Sequence, residues 1–113
     1  MRIELLYFDG CPSYERFLPR LRELVADAGL AENVELRRVE SPEAAVAERF
    51  LGWPTVRVDG VDVELEATAR DDFGLKCRLY STAEGLSGTP SDQWVTRALN
   101  ATRRTDDGHR DPA

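Results

Sequence analysis

The chain has 113 residues, a charged fraction of 32% and a formal net charge of −6. That size predicts one domain around a single core. The acidic balance argues against unaided binding to nucleic acid or to an anionic membrane surface, and no run approaches the roughly 18 apolar residues of a membrane span.

The opening "MRIELLYFDG" lacks the charged n-region and cleavage site of a signal peptide, so the expected location is the cytoplasm, where thiols stay reduced. Two cysteines, Cys11 and Cys77, are too few for a disulfide framework and lack zinc-ligand spacing. The single histidine, His109, lies in a polar tail, which disfavours a histidine-assisted nucleophile. No metal or resident cofactor is expected. Lys76 is the only lysine, and the scattered arginines read as solvated surface.

Residues 2–8, "RIELLYF", read as a strand that ends at Asp9-Gly10. Pro12 suits the first position of a helix. Phe17, Leu18, Leu21, Leu24, Val25 and Ala28 then recur as one apolar stripe up to Gly29, interrupted by Pro19. A proline inside a helix costs about 3 kcal/mol or more, so packing must compensate there. "NVELRRVE", 33–40, predicts a second strand, with Val34, Leu36 and Val39 as its apolar positions. Ser41-Pro42-Glu43 reads as cap, first-turn proline and first-turn acid of a short helix to about residue 50. Two alternating runs, 55–58 and 61–65, flank Asp59-Gly60, the strongest short hairpin signal.

Residues 66–89, broken by Gly74, Gly85 and Gly88, predict an irregular insertion with one possible short strand in "KCRLYS". Thr89-Pro90-Ser91-Asp92 opens a last helix with Trp94, Val95, Ala98 and Leu99 on its buried face. The predicted domain covers 1–101, and 102–113 reads as a disordered tail.

Chemistry is concentrated at "YFDGCPSYERF". A thiol at the first turn of a helix sits where backbone N–H groups and the helix dipole favour a thiolate. Asp9 and Glu15 oppose that effect, and Arg16 partly offsets them. The βαβαββα order, the "CPSY" turn, Pro19 and "GWPTVRVDG" together resemble the thioredoxin-like superfamily, an α/β fold with a central mixed sheet flanked by helices. The resemblance covers about residues 2–65 and the last helix. It implies that Cys11 is the reactive thiol, that Pro54 is cis and packs against it, and that Pro12, Ser13, Tyr14, Trp53 and Thr55 surround the substrate.

Trp53 would offer its backbone to an added strand, such as a peptide or a thiol tripeptide. The expected partner is accordingly a protein disulfide or a low-molecular-weight thiol, the latter as co-substrate. Tyr14 stands where a CxxC motif carries its second cysteine, so local dithiol exchange is ruled out. An external thiol, or Cys77 as a distant resolving thiol, must complete any exchange. Two other readings stay open: soft-metal or organomercurial binding by Cys11 and Cys77, and a non-catalytic interaction domain that offers the hairpin edge or the 66–89 flap to a protein partner, edge-strand dimerisation being one form of it. Oligomeric state is not legible.

Overall fold

A computed structural model describes residues 1–9, 14–31 and 33–110. Its strands are β1 (Ile3–Tyr7), β2 (Val34–Arg38), β3 (Thr55–Val58), β4 (Val61–Asp62), β5 (Tyr80–Thr82) and β6 (Gly85–Ser87). Its α-helices are α1 (Tyr14–Asp27), α2 (Pro42–Ala47) and α3 (Asp92–Arg110), with a 3₁₀ turn over Leu65–Ala69. The main sheet runs β2-β1-β3-β4. Strand β1 pairs parallel with β2 and antiparallel with β3, so the fold is mixed α/β on a mixed sheet. Among the described residues no helix is long and apolar enough to cross a membrane.

Local signals account for most of these boundaries. Helix α1 buries Phe17, Leu18, Leu21, Leu24 and Val25, the predicted stripe, and continues through Pro19. It closes on Gly29, whose φ of 77° lets Gly29 N–H bond Ala26 O while Leu30 N–H bonds Val25 O. Helix α2 begins where expected, with the Ser41 hydroxyl accepting from Ala44 N–H at 3.0 Å. It ends at Ala47, short of residue 50, and Arg49 at φ 55° takes the left-handed position that turns the chain into the core at Phe50. Asp59 and Gly60 both have positive φ, as the tight β3–β4 turn requires.

Two stretches depart from the sequence reading. The run 61–65 is a strand for only Val61–Asp62, because the Asp62 carboxylate accepts the Glu64 N–H at 2.9 Å and bends the chain into the 3₁₀ turn. The insertion is more ordered than its glycines suggest, since β5 and β6 form a separate antiparallel hairpin. Helix α3 passes residue 101, where the predicted domain stops.

The core gathers Ile3, Leu5, Val56 and Val58 from the sheet with the α1 stripe and with Val95 and Leu99 of α3. Glu4, in the middle of the central strand, is only 2% exposed. Its carboxylate is ion-paired with Arg37 at 2.8 Å and Arg2 at 3.4 Å, which is what makes a charge tolerable there.

Candidate functional site around Trp53 and Cys77

The Trp53–Pro54 peptide bond is cis. It opens β3, and its surroundings are built by the insertion. Trp53 N–H donates to Lys76 O at 2.9 Å, and Arg78 N–H donates to Trp53 O at 2.8 Å. Trp53 and Cys77 thus form a parallel bridge, with residues 76–78 lying as a short strap along the edge of the Trp53 backbone. The edge that the sequence reading offers to an added strand is occupied by the chain itself.

Three contacts fix the strap. Gly52 beneath it has φ 123°, and a Cβ there would lie 2.7 Å from Lys76 O. Tyr80 donates its hydroxyl to Pro54 O, and burial pushes the Tyr80 pKa far up, so the group is a neutral donor. Arg78, 1% exposed, carries the third contact and corrects the expectation that the arginines are all solvated. Its guanidinium bonds both Asp62 oxygens at 2.8 and 3.1 Å, Glu64 at 2.7 Å and the Thr55 hydroxyl at 3.0 Å, and it lies over the Tyr80 ring at 4.4 Å. Burial alone would lower the Arg78 pKa, but its ion pairs with the Asp62 and Glu64 carboxylates keep it raised.

The cation on the other side of Cys77 also has a partner. Lys76 Nζ lies 2.8 Å from the Asp72 carboxylate, which Arg70 holds at the same distance. Hydrogen bonds from Arg70 and Lys76 keep the Asp72 carboxyl well below its ordinary range. Because the folded-state pKa is depressed, its stabilisation is present above the unfolded value near about 4 and is lost as pH falls through the folded value. Asp72→Asn is therefore expected to be slightly less stable than wild type at pH 7, by less than about 1 kcal/mol for so exposed a group. In acid the difference should vanish, which urea unfolding at several pH values would check.

Beside the strap lies a cavity of about 530 Å³ lined by Phe17, Trp53, Cys77, Leu79, Arg16 and Arg20, among others. Cys77 is exposed and unbridged. Arg20 is ion-paired with Asp92 and Glu23. Arg16 is exposed, and no ion pair engages it among the described residues.

Of the sequence-predicted site residues, Cys77 and Trp53 share this cavity. Pro54 is buried under Tyr80. Thr55 is buried, with its hydroxyl donating to Gly52 O at 2.7 Å and accepting from Arg78. Cys11, Pro12 and Ser13 lie outside the described residues, as does the Tyr14 side chain. Sequence reasoning missed Arg78, Asp62, Glu64 and Tyr80, which hold the strap, and Arg16 as a wall of the cavity. Among the described residues no group of three or more His, Cys, Asp and Glu side chains is arranged to hold a metal ion. No protein-family model, no curated protein and no solved structure matches this chain.

Proposed function

We propose that this chain is a thioredoxin-like thiol protein in which Cys11 exchanges disulfides and Cys77 supplies the second thiol. The observation that carries the proposal is the Trp53–Cys77 bridge, which sets Cys77 beside the cis-proline loop and on one cavity wall with Arg16 and Phe17 of α1. Cys11 precedes that helix by three residues in sequence. The β2-β1-β3-β4 order and the cis Trp53–Pro54 bond support the thioredoxin-like part of the reading.

In the proposed reaction the Cys11 thiolate attacks a substrate disulfide, forming a mixed disulfide and releasing one substrate thiolate. The Cys77 thiolate then attacks the Cys11 sulfur, closing a Cys11–Cys77 disulfide and releasing the second substrate thiolate. Two electrons pass from the protein to the substrate. The reading assigns the reduced protein to a reducing, cytoplasmic setting. Tyr14 leaves the second step to an external thiol or to Cys77, and the strap is the element that would bring Cys77.

Stoichiometric diamide oxidation tests this. The expected product is a monomer that has lost two hydrogens by intact mass, with a peptide map joining residues 11 and 77. Both Cys11→Ser and Cys77→Ser should abolish it. Intermolecular disulfides alone, or two thiols that still alkylate, would refute the pairing.

A further inference from the structure

We infer that the cavity beside Cys77 takes a small disulfide or thiol that bears a carboxylate, and that it does not take an extended polypeptide. The inference deepens the thiol reading above and rests on it. Extended peptides bind beside a strand by pairing with its free backbone groups. Here Trp53 N–H and O are already bonded to Lys76 O and Arg78 N–H. The strap that makes these bonds is anchored by the buried Arg78 cluster, so displacing it would expose Asp62, Glu64 and Arg78 together.

What remains open is the cavity. Its volume of about 530 Å³ suits a small molecule. Phe17, Trp53 and Leu79 give it apolar and aromatic wall, and Cys77 gives it a thiol. The Arg20 charge is matched by Asp92 and Glu23, whereas Arg16 is the cation on this wall with no ion pair among the described residues. A ligand with an apolar body, a carboxylate for Arg16 and a sulfur for Cys77 matches all three. In a chain that lacks the Cys11 thiol, Cys77 itself attacks one sulfur of a small disulfide held there and forms a mixed disulfide. The other half leaves as a thiolate, and the Cys77 proton passes to solvent.

The test uses the full chain carrying Cys11→Ser, in which Cys77 is the only thiol. Its second-order rate constant is measured with 5,5′-dithiobis(2-nitrobenzoate), an aromatic disulfide with two carboxylates, and with 4,4′-dithiodipyridine, a neutral one. Adding Arg16→Ala is expected to lower the anionic-to-neutral rate ratio about three- to fivefold. Adding Arg22→Ala, an exposed arginine of α1 that lines a different cavity, should leave the ratio unchanged. A disulfide-linked dimer of a short peptide should react slower than either small probe.

An unchanged ratio in the Arg16 variant, an equal fall in the Arg22 variant, or a faster peptide would overturn the inference. Since Cys11 is absent, a failure here is separate from a failure of the Cys11–Cys77 pairing. Diamide oxidation of the wild type reads that pairing alone.

Discussion

Arg78→Ala is expected to destabilise the protein by about 3–5 kcal/mol, the range for removing one partner from a buried ion-pair cluster. Asp62 and Glu64, both mostly buried, would lose the guanidinium that neutralises them, and the Thr55 hydroxyl would lose its donor. Against a typical total of about 5–15 kcal/mol, that is a large fraction of the whole. Arg78→Lys should recover only part, because an ammonium cannot bond both Asp62 oxygens and Glu64 with one planar fork. Urea unfolding midpoints give the global cost. Native-state amide exchange at residues 53 and 78 gives the local one, since those two amides hold the strap to Trp53. A loss below about 1 kcal/mol, as for an exposed pair, would mean that the cluster does not anchor the strap.

Gly52→Ala should be nearly as damaging, for a different reason. At φ 123° the position strains any residue with a Cβ, at a cost of order 1–3 kcal/mol. The added methyl would also meet backbone, with Lys76 O at 2.7 Å and Arg78 N at 3.2 Å. Gly85 separates the two effects, since its φ of 110° is similar but open space surrounds its Cβ position. Gly85→Ala should therefore show the conformational penalty alone. Gly52→Ala should show that penalty plus faster amide exchange at residues 53 and 78. Equal unfolding midpoints for the two variants, with protection at Trp53 intact, would contradict a tightly seated strap.

Much of the frame was legible because it is encoded locally. The Ser41 cap, the Asp59-Gly60 turn, the α1 stripe and Gly29 each act within a few residues, where chain geometry leaves few choices. The insertion was not legible for the opposite reason. Its anchor joins Arg78 to Asp62 and Glu64, residues 16 and 14 positions away, and in the sequence each reads as an ordinary surface charge. Only the burial of all three together reveals the cluster. Within "KCRLYS" Tyr80 reads only as part of a possible short strand until its hydroxyl is seen to reach Pro54 O. The candidate site was half legible in the same sense. Trp53, Pro54 and Cys77 could be singled out from motif and composition, but the pairing of Trp53 with residues 76–78 depends on strand placement that no spacing announces.

That pairing changes the chemistry expected of Trp53. A free edge would recruit a peptide, whereas an edge already filled by residues 76–78 instead brings a thiol of the same chain to the cis-proline loop. Arg78 and Gly52 both hold Cys77 where it is, so under the proposed thiol exchange a change at either is expected to alter reactivity as well as stability.

The most direct test of a built-in thiol pair is the effective concentration of Cys11 and Cys77 toward each other. It is measured by equilibrating the full chain with graded mixtures of reduced and oxidised glutathione and counting free thiols after an acid quench. A seated strap predicts a value well above the millimolar level typical of a flexible tether, with a marked fall in Gly52→Ala. A wild-type value at or below that level, or one that Gly52→Ala leaves unchanged, would contradict the account.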